Sequence, residues 1–309
     1  RHCSLRLNGL TQMTWGIQQG SLHVRLIDPH TNERTWIPHA HTLATIKKAI
    51  GRQHLQGWLS KPNQGKAGHL IRLHPASSKL LYLGLRGDSE VWNFAHRARL
   101  NLLPLNGTMP GCAGPTRCRR CPASLETLPH ALNHCKQNMQ LITKRHNVIL
   151  NRILQALQKP GRQFLTNQPV PNTKSHLRPI VMFEDKAATV LDIAIPFEHC
   201  PTAFDDSRQM KIDKYRSLAT ELQTQGYTVK IGAILVGSLG AWDPANDAAL
   251  TSLGVPTKYM RLCRELCAAD ALHHSAEISR YHVRETTQPP TSGDAPTKKI
   301  RGLPTKRRR

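Results

Sequence analysis

The sequence predicts a mixed α/β chain: a basic, mainly helical N-terminal region, a small Cys/His metal knuckle, an α/β core and a disordered basic tail. Three observations predict it. Charge is segregated along the chain: the net formal charge is +10 over residues 1–110, +9 over 111–175, −3 over 176–295 and +7 over 296–309. Four metal-ligating residues stand at C-x2-C-x8-H-x4-C, beginning at Cys118. Two short apolar runs follow, then an amphipathic stretch and a third apolar run, and the second run carries an acid, Asp192, in its middle. The parts are bounded at residues 1–110, 111–160 (knuckle with a basic helix), 176–256 (α/β core), 257–285 (C-terminal helix) and 286–309 (tail).

The whole chain has 309 residues, a net charge of +23 and a pI near 10.2. Such an excess repels itself, so a polyanionic partner is the economical explanation. No run approaches the roughly 18 apolar residues of a membrane span. The chain begins at Arg1 and no charged-then-apolar leader follows, which suggests a piece of something longer. Eight cysteines could form disulfides, but short Cys/His spacings favour a reducing compartment and a metal.

In the first region, Leu5, Leu10, Trp15 and Ile17 lie among polar residues. Residues 46–59 are loosely helical, 62–68 read as a loop, and 89–103 read as an amphipathic helix ended by Pro104. Trp92 and Phe94 are expected in the core. Arg97 and Arg99, on the same helix, are candidate phosphate contacts.

Two thiolates separated by two residues can grip one zinc ion from a tight turn, and a histidine and a third thiolate can close the tetrahedron. Cys118, Cys121, His130 and Cys135 are therefore the expected ligands, with His134 and Cys112 as competitors. Four protein ligands leave no open position, so the zinc would be structural. Arg117, Arg119 and Arg120 surround the ligands and are expected to stabilise thiolates and face nucleic acid. A helix over 139–157 carries Arg145 and His146, also expected on that surface, and Lys159 to Gly161 end it.

In the acidic part, 178–183 and 189–196 read as strands joined by a polar turn. A lone carboxylate in an apolar strand costs several kcal/mol unless it is paired, hydrogen-bonded or metal-bound. Strand alternation places Asp192, Ala194, Pro196 and, if the strand continues, Glu198 on one face. The helix expected over 205–225 has Met210, Tyr215, Leu218 and Leu222 as its buried stripe, stops at Gly226, and carries Lys211 and Tyr215 four residues apart. A third strand spans 227–236, and 259–271 forms a helix bearing Cys263 and Cys267. The tail, with Lys298, Lys299, Arg301 and Lys306 to Arg309, is a nuclear-localisation or phosphate-binding arm.

This order of features over roughly residues 90–255 resembles the C-terminal part of non-LTR retrotransposon polyproteins, specifically the type I, ribosomal-DNA-targeting elements with a restriction-like endonuclease. The resemblance implies a reverse-transcriptase linker followed by a zinc knuckle and a restriction-endonuclease-like core. Asp192, Lys211 and Tyr215 match its catalytic pattern, and Asp192 with Glu198 are the candidate magnesium ligands. The implied partners are target duplex DNA, nicked to prime copying, and the element RNA; the implied place is the nucleus. The match has one departure: Pro179 is followed by Ile180 where the pattern has an aspartate, which should weaken metal binding and cleavage. A non-catalytic, zinc-dependent nucleic-acid-binding module is the competing expectation.

Overall fold

A computed structural model describes residues 4–7, 11–18, 20–27, 34–82, 89–108, 116–121, 124–159, 162 and 164–284. Cys112 and the basic tail lie outside the described residues. The described residues between 4 and 38 depart from the helical expectation. β1 (Ser4–Leu7), β2 (Thr11–Gln18), β3 (Ser21–Ile27) and β4 (Arg34–Pro38) form a four-stranded antiparallel meander. Period-two alternation of Met13, Trp15 and Ile17 with polar neighbours is a strand signature. The register Gln18↔Ser21 leaves a two-residue turn, where Gly20 takes φ +76°, a conformation glycine adopts without Cβ strain. The helical part of this region is α1 (His39–Leu59), α2 (Gly68–Ile71), α3 (Ala76–Tyr82) and α4 (Ser89–Arg99). Phe94 is buried as expected, but Trp92 is 42% exposed and packs on His96 instead.

A helical turn at His130–His134 and α5 (Met139–Leu157) follow. β5 (Phe164–Leu165), β6 (Ile180–Glu184), β7 (Ala187–Ala194) and β8 (Thr228–Leu235) then make the second sheet in that spatial order. β6 and β7 form a hairpin; β7 and β8 are parallel, joined across one face by α6 (Ala203–Thr224). The chain continues through α7 (Ala245–Ser252) into α8 (Thr257–Val283), which runs through nearly all of the 257–285 part set aside for a C-terminal helix, past the narrower helical stretch at 259–271.

Alternation assigns the two faces of the second sheet. Ile180, Met182, Leu191, Ile193 and Ile234 pack against α5, α7 and α8. Val181, Ala188 and Val190 pack against Tyr215, Leu218 and Leu222 of α6. Asp192 has the parity of Ala188 and Val190, so it faces α6. Met210, expected in the buried stripe of that helix, is 69% exposed. A third cluster links α2, α4, the knuckle, α6, β8 and α8, so the helices before residue 100 share a core with those after 200. Among the described residues no helix is long and apolar enough to cross a membrane.

Candidate functional site

Two constellations carry chemistry. The first is a metal cluster. The donor atoms of Cys118, Cys121, His130 and Cys135 all lie within 4.8 Å of one another. Sγ of Cys118 and Sγ of Cys135 are 4.0 Å apart, Cys135 and Cys121 sulfurs 3.6 Å, and Cys121 Sγ and His130 Nε2 3.0 Å. Thiolates about 2.3 Å from a tetrahedral zinc stand roughly 3.8 Å apart, so the set fits that ion. The backbone N–H groups of Arg120 and Cys121 point at Cys118 Sγ, at 3.4 and 3.3 Å, stabilising negative charge on it. Burial pushes the Cys135 thiol up to about 12 and raises Cys121 too, so their ionisation calls for a cation at this point. Burial and the neighbouring His134 lower the pKa of His130, keeping the imidazole neutral as a ligand must be. His134 is exposed and is not a member of the cluster; its side chain borders a surface groove.

The second constellation is Asp192 with α6. Lys211 Nζ donates to Asp192 Oδ2 at 2.8 Å and the Tyr215 hydroxyl donates to the same oxygen at 2.9 Å. Lys214 Nζ is 3.9 Å away, and the Ile193 N–H donates to Oδ1 at 2.8 Å. Four-residue spacing on α6 puts Lys211 and Tyr215 on one face, and the parallel β7–α6–β8 crossover lays that face on the strand. Burial and then the Asp192 charge raise the Tyr215 pKa, so its hydroxyl stays a proton donor. These bonds account for an acid in an apolar strand. Beside Lys211 runs a groove of about 670 Å³, lined by His134, Ile142, His146, Phe197, Met210 and Lys211.

Several expected site residues lie elsewhere. Glu198 is fully buried and does not join Asp192: its oxygens accept from the N–H groups of Leu239 (2.8 and 3.0 Å) and Ala241 (3.2 Å). Pro196 breaks the alternation that would have kept it on the Asp192 face, since β7 ends at Ala194. Ile180 is 4% exposed and faces the α5–α8 side, opposite Asp192. Asp192 therefore stands without Glu198, the carboxylate partner the sequence suggested, and position 180 offers none. It fits a magnesium ion only as a single anchor, the other ligands being water and phosphate, a common arrangement for that ion.

Two of the arginines expected to face nucleic acid are interior. Arg99 donates to Leu239 O, Ser77 O and Ser78 Oγ. Arg145 donates to Ser275 Oγ, Leu132 O and Asn133 Oδ1. A guanidinium with five donors is the natural filler for buried carbonyls; Arg99 braces the loop at 237–241 through Leu239 O, and Arg145 ties α5 to α8 and to the turn at His130–His134. Arg119 is committed to Glu126 and Pro104 O, and Arg120 to the carbonyls of Tyr281, His282 and Arg284. Arg97 and Arg117 are exposed. His146 is half-buried, its Nε2 3.3 Å from Ile193 O, and lines the groove.

Glu198 supplies a pH prediction. Its burial, only partly offset by the Ala241 and Leu239 N–H groups and Arg99, raises its pKa to about 7. The folded state then holds a proton that the unfolded chain releases near pH 4.3, so stability falls as pH rises from there through about 7. Glu198→Gln should remove that slope, on the order of 2–3 kcal/mol, in urea denaturation between pH 5 and 8.

No protein-family model matches the chain. Over 182 residues, 55% of its length, the chain is 25% identical to the "Retrovirus-related Pol polyprotein from type-1 retrotransposable element R2" of Popillia japonica. The chain is a relative of a retrotransposon Pol polyprotein. The aligned part spans 38% of that relative, so the chain covers well under two thirds of it. The resemblance to a retrotransposon polyprotein expected from the sequence is met by this likeness at the level of the polyprotein.

Proposed function

We propose that this chain is the DNA-nicking part of a retrotransposon polyprotein acting in the nucleus, with Asp192, Lys211 and Tyr215 as its reactive cluster. The observation that supports it most is that Lys211 and Tyr215 both donate to Asp192 Oδ2, while Lys211 also lines a groove bordered by the knuckle, α5, the 193–199 segment and α6. Lys211 and Lys214 offer positive charge to a phosphate, and Asp192 offers an acceptor for the proton of attacking water. Tyr215 orients the carboxylate from below. Magnesium anchored by Asp192 would supply Lewis acidity at the phosphate. Zinc on Cys118, Cys121, His130 and Cys135 would hold the knuckle beside the restriction-endonuclease-like core of residues 176–256, and Arg97, Arg117 and His146 would meet duplex DNA or element RNA.

A second reading, a zinc-dependent nucleic-acid-binding module without catalysis, is favoured by the interior placement of Ile180 and Glu198. Nicking of a supercoiled plasmid with magnesium separates the two. Wild type should convert it to open circle, and Asp192→Asn should slow this at least about 100-fold while retaining DNA binding in a gel shift. Equal conversion by both proteins, or none by either, would leave the binding-module reading in place.

A further inference from the structure

Of the two residues between Cys118 and Cys121, Arg120 reaches into the end of α8 and Arg119, bonded chiefly to Glu126, touches it. Arg120 donates to the carbonyls of Tyr281, His282 and Arg284 and lies 4.0 Å over the Tyr281 ring. These are carbonyls that a helix C-terminus leaves without intrahelical donors. Arg119 adds a contact to Val283 O at 3.5 Å. From the other side, α8 sends His282, fully buried, back into the cluster. Its Nε2 is 3.7 Å from Cys118 Sγ and 3.0 Å from Glu126 Oε1.

The tautomer follows from the neighbours. Asn138 Nδ2 donates to Ala131 O at 2.8 Å, which fixes it as the amide nitrogen, and it stands 2.9 Å from His282 Nδ1. Nδ1 must then accept, leaving the proton on Nε2, aimed at Glu126 and Cys118. Glu126 is buried too, yet the Arg119 guanidinium and the Asn106 and Arg119 N–H groups outweigh that burial and hold it ionised. Glu126 thus joins the segment before the knuckle, the knuckle and α8 at one carboxylate.

We propose that the knuckle is a metal-set clasp for the C-terminal turn of α8, with His282 as a positioning residue that hydrogen-bonds a ligand sulfur. Metal binding and docking of residues 278–284 are coupled: the ion fixes the turn that presents Arg119 and Arg120, and His282 in turn steadies the Cys118 thiolate. This rests on the reading of the four donors as zinc ligands. Partners of this kind behind a ligand commonly contribute 10–100-fold to metal affinity.

The test uses the full chain. Zinc affinity is measured against a chromophoric chelator for wild type, His282→Ala, His282→Gln and, as a control elsewhere on the same turn, Arg280→Ala, which breaks the ion pair with Glu90. Affinity should fall about 10–100-fold in His282→Ala, recover in His282→Gln, whose amide can donate to the sulfur, and stay unchanged in Arg280→Ala. With cobalt in place of zinc, the sulfur-to-metal charge-transfer band should move to lower energy in His282→Ala and return in His282→Gln; a residue that only packed would not move it. Chelator should raise amide hydrogen exchange over 278–284 and not over 260–270. A wild type that binds zinc alongside a His282→Ala of equal affinity, or exchange at 278–284 that ignores the chelator, overturns the clasp alone. A wild type that binds no zinc overturns the knuckle reading and the clasp with it.

Discussion

Cys135→Ser is expected to strip the chain of its stoichiometric zinc and to lower its melting midpoint by on the order of 10 °C. The reason is position as much as coordination. Cys135 is fully buried and follows directly on the turn that carries His130, Ala131 and Leu132, and the last two belong to the cluster shared by α2, α4, α6 and α8. Structural zinc sites supply apparent binding energies of roughly 10–16 kcal/mol in isolated finger peptides. Here the same turn is also held by the apolar packing of Ala131 and Leu132, so the ion supplies part of its stability. Metal content by atomic absorption and a thermal melt with and without chelator check it: the chelated wild type should melt like the variant, and a variant that keeps its zinc and its midpoint would remove the knuckle from the account.

Ile180→Asp, which would restore the carboxylate missing from the family pattern, is expected to destabilise by about 4 kcal/mol or more and to gain no cleavage. Ile180 pairs with Leu191 in the β6–β7 ladder, and directly opposed residues share a face. That face is filled by Ile149, Leu157, Trp242 and Met260, with no donor offered to an acid among them except the Trp242 indole, which already donates to Asp247 at 3.0 Å. A carboxylate there would be buried, unpaired and one sheet thickness from Asp192. Chemical denaturation reads the stability and the plasmid assay the activity; a stable, faster-nicking variant would show that the strand can present position 180 to the groove.

The parts of this molecule that were legible in its sequence are those where a short-range pattern coincides with a local structure. C-x2-C-x8-H-x4-C folds onto itself, so the four donors that its spacing suggests come together, His130 among them and His134 outside. Lys211 and Tyr215 share a helix face by arithmetic, and an acid in an apolar strand had to find a partner nearby. The misses come from contacts that spacing cannot carry. His282 meets Cys118 across 164 positions, and Arg99 and Arg145 were read as surface cations because nothing local shows that distant carbonyls, at Leu239 and Leu132, await them. Glu198 was assigned by extending a period of two past a proline. Glu126 carries its own signal: it is the single carboxylate in the +9 segment 111–175, and a lone acid among so many cations is a candidate hub. The N-terminal meander has signals in the sequence, the alternation of Met13, Trp15 and Ile17 and the Asn8-Gly9 dipeptide between β1 and β2, which the helical expectation for this region leaves out.

The claim that Asp192 and Lys211 act as one unit is tested most directly by plasmid nicking with Asp192→Asn, Lys211→Met and the double variant under single-turnover conditions. Groups that share one step lose their effect together. The account predicts that each single variant slows nicking at least about 100-fold and that the double variant is no slower than the worse single one. Losses that multiply, or a Lys211→Met enzyme as fast as wild type, would contradict it.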